Sequence, residues 1–177
     1  MVSKKYLKDY RLEEQVGSNG RIKTKAVYIG GEYRLTPETS TREKRLILSL
    51  TAIPCLSLIG ALIPVTQAAR TIYVIMPFMF SALPIYLMIT TAINYCRTKE
   101  PMKREQAERI AARMPAGALI TIILNTAAFI GMVMTAAISW GSFPAGDIIF
   151  GTLAIIIAAS SAVILSKTRK LKPAPAI

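Results

Sequence analysis

The chain has 177 residues, of which 53% are hydrophobic, and a formal net charge of +12. This length suits a single domain, and two cysteines without any histidine leave no zinc-ligand cluster. The positive charge first suggests nucleic acid, but the basic residues flank long uncharged tracts and do not form one continuous basic stretch. The sequence therefore predicts a protein that is embedded in a lipid bilayer and binds no nucleic acid.

The first 43 residues are polar and contain three short runs in which apolar and polar side chains alternate. The runs lie at about 10–16, 21–29 and 32–35, and glycine-containing turns at 17–20 and 30–31 separate them. Alternation with a period of two between turn signals is typical of antiparallel strands. We expect residues 1–43 to form a three-stranded β-meander and a linker, and a sheet this small needs a packing partner.

Four tracts without charge follow, and each is long enough to cross a bilayer, since a helix needs about 20 apolar residues to cross ~30 Å of hydrocarbon. The predicted spans are about 46–67, 71–95, 116–138 and 148–166, within a transmembrane domain of residues 44–172. Short loops join them into two hairpins, and residues 173–177 form a C-terminal tail. The predicted fold class is an all-α membrane protein with four transmembrane helices and a small N-terminal β-meander.

The basic residues are distributed very unevenly among the segments outside the spans. Eleven Lys and Arg residues precede Leu46, six lie between Arg97 and Arg113, and four follow Ser166, whereas the two remaining loops hold one and none. By the positive-inside rule, the N-terminus, the C-terminus and the central loop are cytoplasmic. We expect a multi-pass protein of the cell membrane, whose basic cytoplasmic segments bind anionic lipid headgroups.

A short amphipathic helix is predicted in the central loop. Pro101 suits a first helical turn, and Met102, Ala107, Ile110 and Met114 fall on one face, with charged side chains covering the rest. A basic amphipathic helix between two spans most simply lies in the plane of the lipid headgroups.

Charged side chains are absent from all four predicted spans. This absence argues against a proton relay, a carboxylate ion site and acid–base catalysis within the membrane. The chief polar groups left are Asn125 in the third span and Asn94 near the inner end of the second. Both are candidate intramembrane contacts. For Asn125 we expect a hydrogen bond to a neighbouring helix, and a ligand or pore contact is the other interpretation.

Small residues recur at a spacing of four in the last two spans. Ala127 and Gly131 form such a pair in the third span, and Ala154, Ala158 and Ala162 follow the same spacing in the fourth. Faces of this kind allow helix backbones to approach closely. They support tight packing either within one bundle or between copies of the chain.

No motif indicates an enzyme, and we predict no catalytic, cofactor-binding or metal-binding residue. The glycine-rich phosphate loops and the nucleophile elbow are all missing from the sequence. The sequence favours a non-enzymatic accessory, assembly or regulatory subunit that acts by protein–protein interaction, with a different protein or a second copy as partner. The alternative is a homo-oligomeric transporter or channel unit, with Asn125 or the two proline-containing first spans lining the path.

Overall fold

The computed structural model describes residues 8–16, 22–37, 40–62, 70–98, 101–138 and 144–176. This part of the chain is mostly helical, and its small sheets are made of short strands. The predicted turn at 17–20 and most of both predicted hairpin loops lie outside the described residues. In chain order the elements are β1 (Tyr10–Val16), β2 (Ile22–Tyr28), β3 (Glu32–Thr36), α1 (Thr41–Gly60), α2 (Ile72–Phe80), α3 (Ala82–Arg97), β4 (Met102–Lys103), α4 (Arg104–Ile138), α5 (Ala145–Thr168) and β5 (Lys172–Pro175).

Helix α1 begins where a capping box closes its first turn. The Ser40 hydroxyl accepts a hydrogen bond from the Glu43 amide at 3.2 Å, and the Glu43 carboxylate accepts one from the Ser40 amide at 2.9 Å. These bonds satisfy two of the amide groups that a helix start leaves without partners. From Leu46 to Leu62, where the described stretch ends, the chain carries no charge.

Helices α2 and α3 form one nearly continuous helical segment with a break at Ser81. The Ser81 hydroxyl donates to the Phe78 carbonyl at 2.6 Å, and the flanking residues Pro77 and Pro84 have no amide hydrogen to add to the helix ladder. Together the two helices cover the 26 residues of Ile72–Arg97, which include an 18-residue stretch with a mean hydropathy of 2.0. This length and composition suffice to cross a membrane, in agreement with the predicted second span.

Helix α4 has 35 residues and joins two elements that the sequence analysis separated. The predicted amphipathic helix of the central loop and the predicted third span are one helix, which continues through Pro115. At 1.5 Å per residue α4 is about 52 Å long, well beyond the ~30 Å of a hydrocarbon core. Because the helix is longer than the core is thick, its charged first part, up to Arg113, projects beyond the apolar part that could cross the core.

Three helical segments of the described chain are long and apolar enough to cross a membrane: Ile72–Arg97, Arg104–Ile138 and Ala145–Thr168. The last contains the most apolar 18-residue stretch, with a mean hydropathy of 2.6. They correspond to the predicted second, third and fourth spans. Helix α1 is not among them, because its first turns are charged and the description of its apolar part ends at Leu62.

The helices pack into a bundle in which α1 lies against α3 and α5, and α4 lies against α2, α3 and α5. One interior cluster surrounds Phe78 and Phe150, whose ring centroids are 4.8 Å apart. The outward faces carry many large exposed apolar side chains, for example Leu56, Leu83 and Ile123. Lipid favours such an exterior and water does not. We call the end where α1 and α4 begin and α3 and α5 end the charged end of the bundle.

The strands form two separate sheets, so the prediction of a three-stranded meander is wrong. Strands β1 and β2 pair as an antiparallel hairpin, whereas β3 is the central strand of a second sheet with the order β4-β3-β5. Tyr33 is opposite Met102 in that sheet, and Leu35 is opposite Pro173. The physical reason is burial: Leu35 is 0% exposed in an apolar cluster that a two-stranded hairpin could not supply.

This cluster, the basal cluster, joins the second sheet to the charged end of the bundle. Its apolar members come from the strands β3 and β4, from the three helices α1, α3 and α4, and from the C-terminal segment: Leu35, Ile47, Ala92, Tyr95, Met102, Ala107, Ile110, Met114 and Leu171. It includes the whole apolar face of the predicted amphipathic helix, whose side chains are 4% exposed or less. The prediction that this helix lies in the headgroup plane is therefore wrong, because protein covers its apolar face.

The predicted C-terminal tail, 173–177, contributes most of the edge strand β5. The Ala176 amide donates to the Glu32 carbonyl of β3 at 2.7 Å, so Ala174, two residues earlier, faces β3 as well. The amide positions that point away from β3 are those of Pro173 and Pro175, and proline has no amide hydrogen. The outer edge of β5 therefore has no donor at these two positions for a further strand.

Candidate functional site

The β1–β2 hairpin, which we call the hairpin arm, is attached to the rest of the protein at one end. Its register places Tyr10 opposite Tyr28 at the attached end, the base, and Val16 opposite Ile22 at the other end. Strands β1 and β2 contact each other far more than they contact any other element. The arm is therefore held by its base alone within the described part of the chain.

Two tyrosines fix the base of the arm on the first turn of α4. The Tyr10 and Tyr28 rings pack edge to face with centroids 5.2 Å apart, and Lys103 Nζ lies 5.6 and 5.3 Å from those centroids. The Tyr28 hydroxyl accepts a hydrogen bond from the Arg104 amide at 3.1 Å and donates one to the Gly31 carbonyl at 2.9 Å. Because it satisfies an amide that a helix start leaves free, this hydroxyl gives the arm a defined attachment.

Gly30 allows the Tyr28 ring to fold back over the chain. A β-carbon at Gly30 would lie 2.6 Å from Cζ and from the hydroxyl oxygen of Tyr28, closer than real atoms approach. Any other residue would therefore displace the hydroxyl from the Arg104 amide. The Gly30–Gly31 pair is a turn, as the sequence indicated, but the turn leads β3 away from the arm and into the second sheet.

The arm presents open strand edges and exposed apolar side chains, one on β1 and one next to the base. Leu12 is 72% exposed, and Ile29, just after β2, is 60% exposed. In the described chain β1 and β2 pair only with each other, so each strand keeps one edge of unpaired amide and carbonyl groups. An isolated two-stranded hairpin is marginally stable, and an open edge is a template for another strand. The arm is therefore the candidate interaction site.

Asn94, one of the two predicted polar contacts, lines a cavity between α3 and α4 at the charged end of the bundle. The volume of this cavity, which we call the interfacial cavity, is about 240 Å³. Its walls consist of Thr90, Thr91, Asn94 and Thr98 from α3 and of Gln106, Arg109, Ile110 and Arg113 from α4. Asn94 of α3 thus lies beside Arg109 and Arg113, which belong to α4.

Asn125, the other predicted contact, is fully buried in α4. Its Nδ2 donates to the Thr121 carbonyl of the same helix at 2.9 Å, and its Oδ1 has no partner. The expected hydrogen bond to a neighbouring helix is absent from the described contacts, so this prediction is wrong. The physical reason is that α5, where it faces Asn125, offers no polar side chain. Asn125 borders a cavity of about 250 Å³ whose α5 wall has only apolar side chains, among them Ala154 and Ala158. Asn94 and Asn125 therefore lie in different cavities.

Titratable metal ligands do not come together in the described part of the chain, where no three His, Cys, Asp or Glu side chains form a group. Both cysteines are free thiols. The Cys96 thiol donates to the Lys44 carbonyl at 3.2 Å, which ties the end of α3 to the start of α1. This contact is structural and supports the assembly of the charged end.

The tyrosine–lysine contact at the base of the arm was not predicted from the sequence. Tyr10 and Tyr28 are the outermost paired residues of the hairpin, and an alignment of the two strands about their turn could have placed them opposite each other. Their contact with Lys103 could not have been found in this way, because it depends on where the arm is attached. No local signal in the sequence marks that place.

Comparison with protein-family models, with curated proteins and with solved structures gives no match. The structure itself therefore defines the class. Three long apolar helical segments with an apolar exterior are those of a multi-pass helical membrane protein. Within that class, the hairpin arm and the interfacial cavity are the features from which a function can be argued.

Proposed function

We propose that the chain is a four-span protein of the cell membrane, built from two helical hairpins. Strand β3, which precedes α1, pairs with β4 and β5, which follow α3 and α5, so all three strands lie on one side of the membrane. Because Ile72–Arg97 is itself long enough to span, α2 begins on the opposite side. This arrangement supports α1 as the fourth span, and its exposed Leu56 and Ile59 are suited to lipid.

We further propose that both termini lie in the cytoplasm. Every Lys and Arg except Arg70 precedes Leu46, lies within 97–113 or follows Ser166. These segments all belong to the end of the bundle that carries the second sheet. The positive-inside rule supports a cytoplasmic location for that end.

Single cysteines test this topology in a variant whose Cys55 and Cys96 are replaced by alanine. We expect a membrane-impermeant maleimide to label Arg70→Cys on intact cells, and to label Leu12→Cys and Lys172→Cys only after permeabilisation. The reason is that one uncharged tract separates Arg70 from the N-terminal strands and three separate it from β5. Labelling of Leu12→Cys and Arg70→Cys from the same side would exclude α1 as a span. Labelling of Lys172→Cys on intact cells would show that the charged end faces the outside of the cell.

The function that we propose is that of a non-enzymatic accessory, assembly or regulatory subunit, which binds another protein through the hairpin arm. The observation that carries this proposal is the arm itself: it is anchored at its base and has two open edges. A partner strand or helix would cover Leu12 and Ile29 and would stabilise a hairpin that is marginal alone. The proline-bearing edge of β5, by contrast, is poorly suited to strand addition.

A photo-crosslinking amino acid at Leu12, introduced into the full chain in its native membrane, tests the proposal. We expect one discrete adduct whose mass exceeds that of the chain by the mass of a partner, because a docked arm holds the probe against one surface. The same probe at the exposed Lys172 of β5 is the matched control and should give no discrete adduct. An adduct of twice the mass of the chain would show that the arm contacts a second copy of the chain and not another protein. That result would favour the homo-oligomeric transporter or channel.

A second variant separates the arm from the fold of the bundle. Replacing residues 12–26 by Asn-Gly leaves Arg11 opposite Val27 across a two-residue turn and keeps the tyrosine pair at the base. We expect co-purification of the partner to fall at least tenfold while the helix content and thermal stability of the bundle stay unchanged. Undiminished co-purification would remove the arm from the proposed interface.

A further inference from the structure

The interfacial cavity lies where the charged part of α4 meets its apolar part. Arg113, on its wall, is the last charged residue before an uncharged tract that runs from Met114 to Gly146. Asn94 and Thr98 lie near the end of α3, on the opposite wall. Because both helical segments are long and apolar enough to span, this level corresponds to the headgroup region of a bilayer.

The α4 wall of the cavity supplies positive charge and hydrogen-bond donors. Arg109 pairs with Glu105 one turn earlier, so its charge is partly neutralised. Arg113 makes no hydrogen bond or ion pair with any residue of the described chain, and the same holds for the amide groups of Asn94 and Gln106. An anion in the cavity would therefore meet one free guanidinium and two free amide groups.

The α3 wall supplies acceptors. The hydroxyls of three threonines donate to carbonyl groups of their own helix: Thr90 to Tyr86 at 2.9 Å, Thr91 to Leu87 at 2.6 Å and Thr98 to Asn94 at 2.7 Å. A hydroxyl that donates its hydrogen in this way still has lone pairs that can accept a hydrogen bond. The cavity is thus asymmetric, with an anion-binding wall on α4 and an acceptor wall on α3.

Exposed apolar side chains continue from the cavity toward the uncharged part of the bundle on both helices. Following the helical spacing, the α3 face of Asn94 and Thr90 continues to Leu87 and Leu83, which are 36% and 70% exposed. The α4 face of Arg113 continues to Ile120, which is 47% exposed. A ligand with its polar group in the cavity would therefore have apolar side chains along the path of an attached hydrocarbon chain.

We propose that the interfacial cavity binds a phosphate group and that a phospholipid supplies it. The phosphate contacts Arg113 and the Asn94 amide, and a hydroxyl of the headgroup donates to the threonine oxygens of the α3 wall. At about 240 Å³ the cavity is smaller than the ~300–1,000 Å³ of pockets that enclose whole drug-sized ligands. It therefore suits a headgroup, while the acyl chains lie along the exposed apolar side chains of α3 and α4. The best match is an anionic phospholipid with headgroup hydroxyls, such as phosphatidylglycerol.

Native mass spectrometry of the detergent-solubilised full chain, titrated with dioleoyl-phosphatidylglycerol, tests this assignment. We expect wild-type protein to retain one lipid preferentially over dioleoyl-phosphatidylcholine, whose headgroup has no hydrogen-bond donor. Arg113→Gln should weaken binding about tenfold, because it removes a charge-assisted hydrogen bond. Asn94→Leu should weaken it several-fold although every charge is kept. Both side chains are exposed, so neither variant disturbs the core.

Arg169→Gln is the matched control, because it removes the same charge from the charged end on α5, which contributes nothing to the cavity. We expect its affinity to stay within twofold of wild type. Equal weakening by Arg169→Gln and Arg113→Gln, or no effect of Asn94→Leu, would reduce the cavity to general surface attraction and overturn the proposal. Binding of soluble glycerol 1-phosphate as tightly as the lipid would contradict a phospholipid as the source of the phosphate.

Discussion

Leu35→Ala is expected to detach strand β3 from the bundle and to lower the free energy of unfolding by about 2–5 kcal/mol. Leu35 is 0% exposed and belongs to the basal cluster, together with Ile47, Tyr95 and Leu171 from three other parts of the chain. Truncation leaves a cavity at the point where the second sheet meets the helices. The measurement is denaturant unfolding in detergent micelles, together with the rate of limited proteolysis of the N-terminal segment.

Leu12→Ala is the matched control, since it makes the same chemical change on the hairpin arm, where the side chain is 72% exposed. Substitutions at such surface positions usually change stability by less than about 0.5 kcal/mol. If the two variants had equal stability and equal rates of proteolysis, the basal cluster would not hold β3.

Gly131→Leu is expected to force α2 and α4 apart and to destabilise the bundle by about 3 kcal/mol, at the upper end of the cost of overpacking. A β-carbon at Gly131 would already lie 3.2 Å from the Tyr73 carbonyl oxygen, from Tyr73 Cδ2 and from Val74 Cγ2. A backbone carbonyl cannot move aside as a flexible side chain can. Pro77, four residues after Tyr73, has no amide hydrogen to donate to this oxygen, which leaves it available for a close approach of α4.

The matched control is Ala127→Leu, one turn earlier on the same helix, where the side chain is exposed. It adds similar apolar volume toward the lipid and should leave thermal unfolding unchanged in the same detergent. A large loss of stability in Ala127→Leu, or none in Gly131→Leu, would show that the small residues of α4 pack against another copy of the chain and not against α2. The two variants thus separate packing within the chain from packing between copies.

The spanning segments could be predicted from the sequence because a bilayer imposes a simple rule of length and charge. The predicted spans at 71–95, 116–138 and 148–166 correspond to the three long apolar segments of the structure. The continuity of α4 was missed because the charged segment that ends at Arg113 and the uncharged tract that follows it were interpreted as separate elements. A proline removes one helix hydrogen bond, and packing of Ile110 and Met114 into the basal cluster holds the helix together on its charged side.

The pairing of β3 could not be predicted, because its partners carry almost no local signal. Strand β4 consists of the two residues Met102 and Lys103, and β5 contains Pro173 and Pro175, which normally argue against a strand. The nearby β1 and β2 were the obvious partners by sequence distance. The preference for β4 and β5 arises from the burial of Leu35, which depends on how the helices bring distant residues together.

The candidate sites were predictable as residue types but not as arrangements. Asn94 and Asn125 stood out because amides are rare inside apolar tracts, and both proved to border cavities. Which groups face them depends on the rotation of each helix about its axis. That rotation places Arg113 beside Asn94 and places alanines beside Asn125, and it is set by packing over the whole bundle.

The second sheet can be completed only late in translation, because the partners of its central strand follow it in the chain. Strand β3 leaves the ribosome before any helix, β4 only after α3, and β5 after α5. One edge of β3 therefore stays unpaired while all five helices are made, and it is covered only when residues 172–175 emerge. A chain that lacks β5 keeps one edge of β3 unpaired and Leu35 without the cover of Leu171, which exposes this strand to chaperones and proteases.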